Sequence, residues 1–226
     1  MGKARRDEVE HDALIEYSSR ALYFYRQNRA AIIGVCLLVV GIIGFAIFLI
    51  FNSNQQQERS QQLLGVAEQY YFEGDLQRAL YGDEDAMTLG FIQIADNFQR
   101  TQSGNLANYY ASAVLYDLEN YQEALEYIDR FDPPEGILGV GSISLKAVIL
   151  SELGRHREAA DTFLRAAEWN ENSLTTPQHM LEAAGAYNVA GEPERSRELL
   201  GELLRLYPNS PQADNARKLQ GTLAVR

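Results

Sequence analysis

Three stretches in the C-terminal half of this 226-residue chain repeat one another at a nearly constant spacing. YDLENYQEALEYIDRF, LSELGRHREAADTFLRAAEWN and YNVAGEPERSRELLGELLRLYP align with Glu119, Gly154 and Gly191 at one position and Ala124, Ala159 and Ser196 at another, giving periods of 35 and 37 residues. Apolar residues within each stretch recur at three- and four-residue spacing rather than alternating, and the six prolines (133, 134, 177, 193, 208 and 211) all lie beyond residue 130. That periodicity predicts helices, not strands. A period of this length marks a unit of two helices that cannot bury its apolar face alone and must stack on copies of itself. The expected fold class is therefore all-α, a solenoid of about four helix pairs.

The residues at the repeated positions resemble the tetratricopeptide repeat (TPR), a family of antiparallel helix pairs with a small residue or turn at the corner. Ala147, Leu150, Gly154, Ala159, Phe163 and Ala166 match it in one unit, and Ala184, Tyr187, Gly191, Ser196, Leu200 and Pro208 in the next. Small side chains let the two helices touch, larger ones fill the gap between them, and a closing proline stops the second helix. Upstream, Ala67, Tyr70 and Gly74 read as the first helix and corner of a degenerate unit. A Gly- and acid-rich loop at 81–85 and a second helix over 86–100 follow. The resulting repeats are about 60–103, 105–139, 140–173 and 177–210, with a capping helix over 211–221 that sets Ala213, Ala216 and Leu219 on one face. Residues 52–62, polar and Gln-rich, are either a linker or the start of the first repeat helix; the solenoid domain is taken as 63–226.

Before the repeats, residues 30–51 (AAIIGVCLLVVGIIGFAIFLIF) form an uninterrupted run without charge, amide or proline. As a helix it would reach about 33 Å, enough to cross a hydrocarbon core of about 30 Å. Fifteen of its 22 residues are Ile, Leu, Val or Phe, and insertion is favourable by roughly 5–8 kcal/mol. The run is longer than a signal-peptide core and leaves through Phe51-Asn52-Ser53-Asn54 with no small-x-small site, so an uncleaved transmembrane helix is expected. Arg20, Arg26 and Arg29 precede it closely whereas only Arg59 follows, which places residues 1–29 in the cytoplasm and the repeats outside it. Within 1–29, Leu14, Tyr17, Ala21, Leu22 and Tyr25 recur at helical spacing, either as an interfacial amphipathic helix or as an aromatic belt with Tyr23 and Phe24. Cys36 reads as a small apolar packing residue. Ala30, Gly34 and Gly41 share a face with Gly44 nearby, a candidate contact face for another membrane helix.

Of 31 acidic and 20 basic residues, 26 and 14 follow the run, a balance that argues against nucleic acid as a partner. The chain has no phosphate-binding glycine loop, paired-cysteine motif or HExxH. His11, His156 and His179 lie in separate segments, with His156 at an aromatic position of the repeat core. No catalytic, cofactor or metal residues are assigned, and no enzyme activity is expected. TPR arrays bind partners along their first helices, and the resemblance puts Leu106, Tyr109, Ala113 and Tyr116, then Ser144, Val148 and Ser151, then Leu181, Gly185 and Asn188 on that face. Chaperone-binding members carry Lys, Arg and Asn there to clamp a terminal carboxylate. These residues instead make a neutral, Tyr-lined groove suited to an apolar peptide or helix, unless Tyr109, Tyr110 and Tyr116 simply pack between repeats.

The order of parts, with the stretch GFIQIADNFQRTQSGNLANYYASAVLYDLENYQEALEYIDRF, resembles the bacterial YfgM-type proteins over about 22–219. These are ancillary subunits of the SecYEG translocon. The resemblance implies a bacterial inner-membrane protein whose periplasmic solenoid is an adaptor for translocon components and membrane-anchored chaperones or foldases. The alternative is a self-associating scaffold for cell-envelope assembly or cell-wall coordination.

Overall fold

The computed structural model describes residues 23 and 25 and residues 27–224. The chain divides into two compact units, residues 1–55 and 56–226. Leu14, Tyr17, Ala21, Leu22 and Phe24, on which the interfacial helix depends, lie outside the described residues, as do Arg20, Arg26 and the side chain of Cys36.

In the first unit, helix α1 (Arg29–Phe72) contains the apolar run. It is long and apolar enough to cross a membrane, and none of its most apolar stretch is buried. Val35, Leu37, Phe45, Ile47 and Phe48 are each more than 60% exposed. Such a surface is unusual for a helix meant to stay in water. The same helix continues without a break through residues 52–62, which are helical.

The second unit takes residues 56–72 of α1 as its opening helix. After it come α2 (Leu76–Tyr81), α3 (Phe91–Asn97), α4 (Gln102–Asp117), α5 (Tyr121–Arg130), α6 (Ile137–Glu152), α7 (His156–Trp169), α8 (Thr176–Val189), α9 (Pro193–Leu206) and α10 (Ala213–Ala224). Helices α4/α5, α6/α7 and α8/α9 are the three complete pairs, and from α3 onward each helix packs on its predecessor. The pairs begin slightly earlier than the repeat boundaries expected from sequence. Thr101 caps α4, its hydroxyl accepting the Gly104 N–H at 2.9 Å, so the helix starts before residue 105.

Four corners share one hydrogen-bond pattern. The N–H groups of Asp75, Asn120, Arg155 and Glu192 reach back to the carbonyls of Tyr70, Leu115, Leu150 and Tyr187 at 2.8–2.9 Å. Between them Gly74, Glu119, Gly154 and Gly191 adopt φ of 83°, 61°, 73° and 81°. This is the six-to-one closure of a helix end through a left-handed residue, which glycine adopts without penalty. Five positions on, Ala79, Ala124, Ala159 and Ser196 are fully buried, as are Ala67, Ser112, Ala147 and Ala184 seven positions before the left-handed residue. These small residues are where two helix backbones approach.

The first unit of the solenoid departs from expectation. A second helix over 86–100 is not formed; α2 and α3 are separated by residues 82–90. Gly82 turns the chain at φ 82°, and the backbones of Gly82 and Gly90 come so close that a Cβ at either would collide with main-chain atoms. Asp83 and Thr88 form an isolated antiparallel bridge, and the Asp83 carboxylate accepts the N–H groups of Asp85 and Ala86 at 3.0 and 3.2 Å. These local bonds satisfy the backbone outside a helix. Gly74 and Glu119 are consequently 45 residues apart rather than 35.

Two apolar clusters run through the body. One joins Leu64, Leu80, Phe91, Ile94, Val114, Leu115, Leu125 and Ile128. The other gathers Phe163, Met180, Tyr187, Leu199, Leu200 and Leu203, and is closed by Ala216 and Leu223 of α10.

Candidate functional site

The corner alignment fixes the register of the first helix in every pair, and hence which residues share a face. Leu106, Tyr109, Ala113 and Tyr116 lie along α4, Ser144, Val148 and Ser151 along α6, and Leu181, Gly185 and Asn188 along α8. Leu106 is exposed and the others are half-buried. Val148 and Leu181 pack against the second cluster, and Tyr109 and Tyr116 against the first.

The tyrosines therefore serve packing as well as surface. Tyr109 meets the rings of Tyr110 and Phe131 at 5.8 and 5.6 Å, and Tyr116 meets Tyr121 at 5.6 Å. Tyr110 stacks on Phe91 at 4.9 Å, and Tyr71 meets Phe91 edge-on at 6.3 Å and Tyr110 at a tilt at 5.8 Å. Such ring pairs stabilise by about 0.5–1.5 kcal/mol beyond burial. Burial, then the neighbouring Glu68 carboxylate, push the Tyr110 phenol up to about 12. Burial, then Tyr71, also raises Tyr109.

Continuing the register into α1 adds Gln61, Leu64, Glu68 and Tyr71 to this face, four residues absent from the sequence-based groove. Gln57, Gln61, Leu64 and Glu68 line an open depression of about 300 Å³ with Gln102, Ser103 and Leu106. Gln57 Oε1 accepts the Gln102 N–H at 2.9 Å and joins the two helices. The signal was present in the sequence, where Gln57 and Gln61 of the Gln-rich stretch and Leu64 and Glu68 just after it already follow helical spacing. Glu68 also makes this part of the groove anionic rather than neutral.

The remaining assigned positions are simply located. Ala30 is exposed, and a Cβ added at Gly34, Gly41 or Gly44 meets nothing within 4 Å among the described residues. His156 is half-buried in the first turn of α7, at the place Tyr121 takes in α5. His179, which carried no role in the sequence, is buried against Phe163 and bonded to Glu182 at 2.8 Å. Tyr187 bonds Asp161 at 2.5 Å beneath the Arg195 guanidinium, and burial followed by that carboxylate raises its phenol to about 12. No group of three or more metal-ligating side chains assembles among the described residues.

No protein-family model and no curated protein matches the chain. Among solved structures it is similar to two crystal structures of nearly identical TPR-like repeats from a Podosopora anserina protein assigned as a kinesin light chain, one of them carrying a substitution. Each is 15% identical with a TM-score of 0.55 over 74% of this chain and 85% or 86% of the other. The fold is a TPR-like helical repeat.

Proposed function

We propose that this protein is a single-pass membrane adaptor whose TPR-like body binds protein partners outside the cytoplasm. The observation that carries this reading is the joining, in one chain, of a long apolar helix whose most apolar stretch is unburied with a repeat body of TPR-like fold. An unburied apolar surface of that length is costly in water, and a helical repeat suits the binding of other proteins. The flanking arginines favour a cytoplasmic N-terminus and a repeat body in the periplasm of a bacterial inner membrane. The YfgM-type layout favours translocon components and membrane-anchored folding factors as partners. Tethering raises the effective concentration of such partners, so individually weak contacts suffice.

A compartment-sensitive reporter fused after Arg226 tests the topology. Activity restricted to the cytoplasm would invert it. Photo-crosslinking from residues 61, 106 and 148 in native membranes tests the partner class, with translocon or folding-factor adducts expected. Recovery of neither would remove the Sec assignment while leaving the adaptor architecture in place.

A further inference from the structure

Exposed large apolar side chains in the repeat body are unevenly placed. Ile137, Leu138, Trp169, Leu174 and Leu206 stand at or next to the connections that lead from one pair to the next, whereas the opposite corners expose Phe72 and Val189; of the other exposed apolar side chains described in the body, Tyr81 ends α2, Met87 lies in the connection between α2 and α3, and Val66 and Leu106 lie within helices. Leu138 and Leu174 are 76% and 73% exposed, more than most side chains of the apolar run. This edge is also the one at which the chain enters. Gln57 is bonded to the start of α4, six residues beyond the end of the apolar run, a span of at most about 20 Å of chain. A line of hydrogen bonds continues along the edge. Asn105 holds the backbone of Asp132 at 2.8 and 2.9 Å, and Trp169 Nε1 donates to the Pro134 carbonyl at 3.0 Å.

We propose that this edge rests on the lipid interface, with Leu138, Trp169 and Leu174 entering the headgroup zone. The proposal rests on the reading that residues 30–51 cross the bilayer. Trp169 suits that place: its N–H is already satisfied, and its ring is amphipathic and 38% exposed. Acidic residues beside these side chains (Asp132, Glu135, Glu168 and Glu171) outnumber the basic residues that end α5 and α9 (Arg130 and Arg205). The contact is therefore apolar burial into a zwitterionic surface, not attraction to anionic lipid. Its consequence is a restricted orientation, with the helix-pair faces turned sideways along the membrane where an emerging partner would meet them.

Trp169 is the chain's single tryptophan, so its fluorescence reports this edge alone. The full chain is reconstituted in phosphatidylcholine vesicles with and without bromine on the upper acyl chain, and flotation is measured in parallel. The expected result is flotation with the vesicles, together with bromine-dependent loss of emission that disappears in Leu138→Asp/Leu174→Asp at unchanged helical circular dichroism. Flotation without quenching would overturn the edge contact and leave the anchor intact. Failure to float would overturn the anchor reading itself. Shielding of Trp169 from both bromine and aqueous iodide would mean that protein, not lipid, covers the edge, and would overturn the proposal as well.

Discussion

Glu119 holds a conformation that its three counterparts meet with glycine. A non-glycine residue in the left-handed region is disfavoured by about 1–2 kcal/mol, so Glu119→Gly is expected to stabilise by about 0.5–1 kcal/mol after the entropy that glycine adds to the unfolded chain. Gly154→Ala and Gly191→Ala should destabilise by about 1 kcal/mol each; chemical denaturation reads all three. Ser112 and Ser196 occupy alanine-sized positions, and their buried hydroxyls find no partner among the described residues. Ser112→Ala and Ser196→Ala are therefore expected to be neutral or stabilising by up to about 1 kcal/mol. The raised phenols of Tyr110 and Tyr187 favour the protonated form in the folded state. Their contribution is complete below pH 10, the ordinary phenol value, and is lost as the pH rises through about 12. Tyr187→Phe should flatten part of that alkaline decline, which pH-dependent thermal melting would show. The alignment of Glu119 with two glycines was legible in the sequence, whereas the partner of Tyr187, 26 residues earlier on another helix, was not.

At the scale of elements, the helix starts and the cap are the sensitive points. Gly104 lies in the first turn of α4 against the backbone of Phe98, where a Cβ would collide with the carbonyl oxygen. Gly104→Ala should force that turn outward and destabilise by about 1–3 kcal/mol, seen as lower protection of α4 amides in hydrogen exchange. Helix α10 covers the last pair with Ala213, Ala216 and Leu223. Its removal should lower stability by about 2–3 kcal/mol and promote self-association, measured by denaturation and light scattering. The three complete pairs were readable because small residues recur at fixed distances from each corner, Ser112, Ala147 and Ala184 before it and Ala124, Ala159 and Ser196 after it. The interrupted second helix of the first unit was not, because a backbone approach between Gly82 and Gly90 decides it. No linear period encodes that approach.

Over the whole molecule, nearest-neighbour packing divides the repeat body's apolar interior into two principal clusters, with consecutive pairs also joined by exposed ion pairs such as Arg130–Asp96 and Lys146–Asp129. Exposed pairs of this kind contribute at most about 1 kcal/mol, so stability rests on the stacked small-residue contacts. The sequence by itself determined the helical class, the repeat period, the positions of three corners and the apolar run, because each depends on residues close together in the chain. Only the tertiary structure decided that the groove extends onto the C-terminal part of α1 and becomes anionic at Glu68. It also decided that the tyrosines pack as well as line it, and that the exposed leucines and Trp169 share the edge where the chain enters. Those properties arise when distant segments are brought together by burial, and burial fixes a register between helices that no single helix carries.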